Sequence, residues 1–143
     1  MKIYGIGTDI TECERIRKMI EKHGDYFTER VFTDWENSYF RSQKQFLESC
    51  TGRWCAKEAI LKAIGTGWVR GIAWRDVEVR NLTSGAPQVW LGGGALKAVQ
   101  QRGISDILIT ISHCSSHATA TAIALTDGSP FPEERSFDRP DDY

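Results

Sequence analysis

Three short stretches of this chain place residues of the right type for phosphate and metal chemistry. The first is Gly5-Ile6-Gly7-Thr8-Asp9-Ile10. A carboxylate near the end of a glycine-bearing strand projects into a cleft, and the glycines leave room beside it for a ligand or another backbone. Mg²⁺ suits such a position, because it takes hard oxygen ligands and is satisfied by one or two carboxylates plus substrate phosphates. Read locally, Asp9 could equally end the strand or cap the next helix. The second stretch is Arg53-Trp54-Cys55-Ala56-Lys57-Glu58-Ala59-Ile60-Leu61-Lys62. On a helix Glu58 and Lys62 share a face one turn apart. A metal-binding carboxylate next to a phosphate-binding ammonium would make a phosphoryl-transfer site. The same spacing is also the commonest surface ion pair on helices. The third is Ile109-Thr110-Ile111-Ser112-His113, where a histidine at a strand end can hold a phosphate or move a proton. His113, Cys114 and His117 invite a zinc reading, but no second ligand cluster accompanies them.

The elements that must position these residues follow from patterning. β-formers predict a strand over residues 2–10. Thr11 with Glu14 has capping-box spacing, so a helix is predicted over residues 12–22, ended by Gly24. Residues 26–32 are ambiguous. Thr-Asp-Trp-Glu at 33–36 opens a second helix over 34–41. The strongest helix is predicted over 52–64 with Thr51 at its start, and Gly65-Thr66-Gly67 stops it. Strands over 75–81 and 88–91 flank the turn Ser84-Gly85-Ala86-Pro87. A short helix over 95–102 precedes a final pair of strands, 107–112 and 118–125, whose Ile107, Ile109 and Ile111 and whose Ala118, Ala120, Ala122 and Ala124 each line one face.

With 143 residues, 41% hydrophobic and 26% charged, the chain has the size and composition of one soluble domain. The net charge of −1 offers no case for nucleic acid or a membrane as partner. Residues 129–143 hold five acids and two arginines, so residues 1–128 are mildly basic at net +2. That tail is proline-rich and aperiodic, and it is predicted to be disordered outside a folded domain of residues 1–128. The N-terminus lacks the apolar segment of a secretion signal, and no stretch reaches membrane-spanning length. The four scattered cysteines read as reduced thiols, so a cytoplasmic location is expected.

Taken in order, GIGTDI at 5–10, GRWCAKEAILKAIGTG at 52–67 and ITISH at 109–113 before an alanine-rich strand resemble the holo-acyl-carrier-protein synthase family of phosphopantetheinyl transferases. The resemblance runs to about Leu125, and the middle stretch is its most specific part. It implies an α+β domain of mostly antiparallel strands on a long central helix, assembled as a homotrimer with active sites between subunits. In that assembly Asp9 of one chain is expected to meet Glu58 of its neighbour. The activity implied is transfer of 4′-phosphopantetheine from coenzyme A to a serine of an apo acyl-carrier protein, within fatty acid biosynthesis. Asp9 and Glu58 match the Mg²⁺ ligands, and Lys62 the lysine that meets the leaving phosphate. Arg53 and His113 match residues near the coenzyme A phosphates, and Gly65, Gly67 and Pro87 match loops lining the nucleotide. Arg15, on a helix that also bears Arg17, Lys18 and Lys22, matches the carrier-binding position. Glu58 and a metal-bound water are both candidates for the general base. Cys114 and His117 depart from the family pattern, as do Glu21 and Asp25 on the basic helix. Two other functions compete: a non-catalytic coenzyme A-binding trimer, and a hydrolase of coenzyme A-like pyrophosphates.

Overall fold

The computed structural model describes residues 1–69 and 71–133. Its longest helix, α4 (Phe46–Ile64), runs through the middle of an α+β domain. Eight consecutive residues of it, Cys50 to Lys57, are buried, so it faces protein on every side, as a central helix must. One side packs on an antiparallel sheet of β1 (Lys2–Glu12), β5 (His117–Thr126) and β4 (Asp106–His113), in that spatial order. A hairpin of β2 (Val77–Asn81) and β3 (Pro87–Leu91) and the helix α5 (Gly93–Arg102) extend this core. The helices α1 (Cys13–His23), α2 (Asp25–Val31) and α3 (Asp34–Arg41) enclose a second, aromatic-rich cluster with the first half of α4.

Alternation along the strands decides which face meets α4. The β5 residues Ala118, Ala120, Ala122 and Ala124 are all buried, as their period of two requires. On β1 the inward positions are Gly5, Gly7, Asp9 and Thr11, whereas Ile3, Ile6 and Ile10 point away from the helix and are 68%, 67% and 66% exposed. Small residues on the inner face let the sheet lie almost on the helix backbone. A Cβ placed on Gly5 would sit 2.2 Å from the Ala63 carbonyl oxygen, and one on Gly7 2.1 Å from that of Ala59. Both distances lie far inside van der Waals contact, so glycine is required at both.

Most predicted elements are present, with three corrections. Thr11 does not cap α1. β1 runs on through Glu12, paired with His117, and the Thr11 hydroxyl donates to Asp9 Oδ2 at 2.9 Å instead. α4 begins at Phe46, well before the predicted residue 52, so Thr51 lies inside it and donates to the Leu47 carbonyl at 2.8 Å. The predicted disordered tail begins with an ordered segment. Ser105 Oγ donates to the Ser129 carbonyl at 2.6 Å, and Phe131 is 1% exposed within the core. Residues 134–143 of that predicted tail lie outside the described residues. The capping box at Thr33 and Glu36 forms as predicted.

Sequence patterning gave no warning of the charge buried beside α4. Lys57 and Glu36 form an ion pair at 2.7 Å with both side chains fully inaccessible. Lys57 Nζ also donates to the carbonyls of Val31, Trp74 and Val77 at 2.8, 3.1 and 2.7 Å. Glu36 accepts from the backbone N–H of Thr33 and of Val79 at 2.9 and 3.0 Å. Burial lowers the Lys57 pKa, and the Glu36 carboxylate opposes that shift. The pair thus ties α4, α3, β2 and the end of α2 together through one satisfied network. Glu36→Ala is expected to cost about 3–5 kcal/mol in denaturant unfolding, because it strands a buried ammonium. Glu36→Leu with Lys57→Met should recover most of that loss, whereas a single-variant cost near zero would contradict this role.

Candidate active site

Close contact between β1 and α4 brings the first two chemical stretches together in one chain. Lys62 Nζ lies 3.3 Å from Asp9 Oδ1 and donates to the Thr8 carbonyl at 2.9 Å. The second Asp9 oxygen is held by Thr11, so the carboxylate is oriented from both sides. Glu58, one turn before Lys62, is near enough for the Asp9 charge to act on it. The expectation that Asp9 meets Glu58 only across a subunit boundary is therefore corrected. With β1 seated on α4 at Ala59 and Ala63, both carboxylates of one chain lie within electrostatic range of each other.

Glu58 is half-buried, and burial is the main reason its pKa is raised above the ordinary carboxylate value, followed by repulsion from Asp9. Trp68, Lys62 and Arg15 oppose the shift. The Trp68 indole N–H is buried without a hydrogen bond of full geometry, and it is close enough to Glu58 to favour the charged carboxylate in part. Gly65 and Gly67 bring it there. Their φ values of 91° and 59° are left-handed, and both N–H groups turn back to the Leu61 carbonyl, at 3.0 and 3.4 Å. Trp68 then stacks on Trp74, and Trp74 on Trp54, with centroids 3.8 and 4.4 Å apart. Arg15 completes this side, its guanidinium 5.6 Å from the Trp54 ring centroid. Arg17 is instead committed to Glu14 and Glu21 on its own helix.

Arg53, Pro87 and His113 form a separate group. Nine residues of α4 separate Arg53 from Lys62, which at about 100° per residue puts them on opposite sides of the helix. Arg53 is only 4% exposed, and its Nη2 donates to Asn81 Oδ1. Asn81 pairs with Pro87 across the hairpin. Arg53, Asn81, His113, Tyr39 and Glu48 line a pocket of about 150 Å³. His113 stands two strands from Thr11 in the same row, through Ala118. One chain therefore carries two separate groups: carboxylates and a lysine on one side of α4, an arginine and a histidine on the other. Trp68, Tyr39 and Asn81 gave no sequence signal, because each matters only through a neighbour distant in the chain, and the Thr11 signal was for a helix cap. Among the described residues no group of three or more His, Cys, Asp or Glu gathers as for a metal.

A family profile described as the 4′-phosphopantetheinyl transferase superfamily matches residues 5–125, and the chain belongs to that superfamily. Within it, the chain is similar to proteins named holo-[acyl-carrier-protein] synthase. That of Chlamydia pneumoniae is 43% identical over 125 residues, covering 87% of this chain and 99% of the relative. That of Protochlamydia amoebophila is 44% identical over 119 residues, covering 83% and 95%. Among solved structures, the holo-[acyl-carrier-protein] synthase of Neisseria meningitidis superposes with a TM-score of 0.82 at 30% identity, covering 87% of this chain and 100% of that one. That of Bacillus anthracis, solved in complex with CoA (3′,5′-ADP), superposes with a TM-score of 0.73 at 33% identity, covering 87% and 98%.

The raised Glu58 pKa has a consequence for stability. The native state holds this proton more tightly than the unfolded chain does, so ionising Glu58 costs stability as pH rises through its folded pKa. Below the unfolded value, near 4.5, both states are protonated and the cost disappears. Glu58→Gln should therefore melt at a higher temperature than the parent protein at neutral pH, with the difference closing below about pH 4.5. A neutral-pH melting point below that of the parent would contradict this assignment.

Proposed function

We propose that this chain is a Mg²⁺-dependent holo-[acyl-carrier-protein] synthase, working as a homotrimer in the cytoplasm. It transfers 4′-phosphopantetheine from coenzyme A to a serine of an apo acyl-carrier protein, releasing adenosine 3′,5′-bisphosphate. The observation that carries this reading is the Asp9, Glu58 and Lys62 cluster, set within a chain about 40% identical to named synthases over most of its length.

The donor set fits Mg²⁺. Burial and then repulsion from Asp9 raise the Glu58 pKa, and a divalent cation would relieve that repulsion. Two protein oxygens also leave coordination positions for water and substrate phosphate, as this ion prefers. When bound, the ion would polarise the pyrophosphate and offset charge building on the leaving group. The remaining work falls to the chain itself. The carrier's serine oxygen attacks the β-phosphorus as its proton passes to Glu58 or to a water, the bridging P–O bond breaks, and the bisphosphate leaves with its electrons. The Lys62 ammonium, held beside Asp9, is placed to meet that developing charge. Arg53 and His113 supply the second phosphate-binding half-site, with Pro87, Gly65 and Gly67 shaping the nucleotide's surroundings.

Placement of the half-sites on opposite sides of α4 supports a site completed by a second copy. A surface suited to holding copies together exists on the outer face of the sheet. Ile6, Ile123 and Leu108 form an apolar row across all three strands, with Ile6 67% and Leu108 51% exposed. The four cysteines are free, and burial pushes the Cys50 and Cys55 thiols up to about 12, which suits a reducing compartment. No helix among the described residues is long and apolar enough to cross a membrane. Arg15 stands beside Trp54 on the rim of the carboxylate half-site, where an acidic carrier would deliver its serine.

Mass measurement of an apo carrier incubated with the protein, Mg²⁺ and coenzyme A should show one added phosphopantetheine. An unmodified carrier with intact coenzyme A would point to a binding module, and cleaved coenzyme A without transfer to a hydrolase. Asp9→Ala and Glu58→Ala should each abolish transfer while the protein stays folded. Co-refolding inactive Asp9→Ala with inactive Arg53→Ala should restore about a quarter of parental activity, because random mixing regenerates that share of two-chain sites. No restoration would place the whole site in one chain. Arg15→Glu should weaken carrier binding with coenzyme A affinity unchanged, and equal loss of both would remove its assignment to the carrier.

A further inference from the structure

We propose that Tyr39 is a positioning residue for the Arg53 guanidinium, backed by a stack of rings and a second arginine that runs from Tyr39 through Trp35 and Arg80 to Trp90. The inference rests on the reading of Arg53 as a coenzyme A phosphate contact. The Arg53 guanidinium carbon lies 4.9 Å from the Tyr39 ring centroid. Tyr39 stacks on Trp35, one helical turn earlier on α3, with centroids 5.5 Å apart and planes 9° from parallel. Arg80 follows, 5.6 Å from the Trp35 ring centroid and 4.0 Å from that of Trp90.

The stack is anchored at both ends. Arg80 Nε donates to Glu78 Oε2 at 2.7 Å, and the other Glu78 oxygen accepts from the Thr33 hydroxyl. Thr33 is the N-cap of α3, the helix that carries Trp35 and Tyr39, so the stack's own helix is tied to the hairpin carrying Arg80 and Trp90. On its other side Arg53 donates to Asn81, whose amide in turn donates to the Gly85 carbonyl at 3.0 Å. Arg53 is thus set between a ring face and an amide before any ligand arrives.

Physical chemistry favours this arrangement for a phosphate site. A long, flexible arginine held in one rotamer loses less freedom when the anion binds. The negative face of an aromatic ring holds a buried cation without adding a second full negative charge to the Glu48 carboxylate that already lines the pocket. An acid in the position of Tyr39 would hold Arg53 equally well and repel the ligand.

The test uses the full chain and measures the coenzyme A dissociation constant by calorimetry, with KM and kcat for carrier modification. Tyr39→Ala should raise the dissociation constant and KM about tenfold, the effect of losing a desolvated cation–π contact, with kcat within about twofold of parental. Tyr39→Phe should restore parental values to within about twofold, because the ring face does the positioning. Tyr39→Leu keeps apolar volume without a ring; it should match Tyr39→Ala and guards against a folding defect in that variant. Tyr39→Ala combined with Arg53→Ala should bind no more weakly than Arg53→Ala alone. The proposal is overturned if Tyr39→Ala and Tyr39→Leu bind normally while Arg53→Ala does not, if Tyr39→Phe is as impaired as Tyr39→Ala, or if the double variant shows additive loss. An Arg53→Ala protein with unchanged coenzyme A affinity would instead overturn the phosphate role of Arg53 itself.

Discussion

Everything chemical in this molecule depends on how closely β1 lies on α4. Gly5 and Gly7 bring the strand against the carbonyls of Ala63 and Ala59, at distances no side chain could share. That contact carries Asp9 to within ion-pair reach of Lys62 and into the electrostatic range of Glu58. A strand spaced from the helix by ordinary side chains would hold Asp9 farther from both Lys62 and Glu58. The glycines give up β-propensity and conformational economy in a strand to achieve this, a local cost carried by the extended pairing of β1 with β5.

The second constraint is the rigidity of α4 itself. Its buried course between sheet, hairpin and three short helices is tied down by Lys57 and Glu36, an ion pair between α3 and α4 whose further hydrogen bonds reach the end of α2 and the strand β2. Buried pairs seldom add net stability over a hydrophobic pair of the same volume. What this one supplies is a set of directional bonds that a slipped or rotated helix could not make. Residues before and after Lys57 on α4 face different half-sites, so a rotation of this helix would displace Arg53 and Glu58 together.

The site also shows a division between stability and chemistry. Glu58 is partly desolvated and beside another acid, which is unfavourable for the folded chain on its own and suited to a divalent cation with a pyrophosphate. Arg53 is similarly buried, and it is held by a ring face and an amide. Strain of this kind is expected where charge must be presented, dry and oriented, to a charged substrate. In the proposed synthase, the split of the two groups across α4 would make assembly part of the chemistry.

Much of this was legible in the linear sequence because it is local. The glycine-bearing strand, the capped helix at Thr33, the glycine stop at Gly65 and the alternation of the alanine strand follow from φ preference and side-chain period. The order of the three motifs pointed to the transferase family, and the homologues bear it out. Where Thr11 directs its hydroxyl was not legible, because the strand's continued pairing with β5, and not the local capping pattern, decides it. Phe131 was assigned to a disordered tail because its neighbours in sequence are polar and prolyl, yet its place in the core is set by strands far away in the chain. The sequence by itself pointed to the residues whose types suit phosphate and metal chemistry. Only the tertiary structure decided that Asp9 and Glu58 fall on one side of α4 and Arg53 and His113 on the other. That partition comes from the half-turn between Arg53 and Lys62 on one buried helix, and from two glycines that bring a strand onto its backbone.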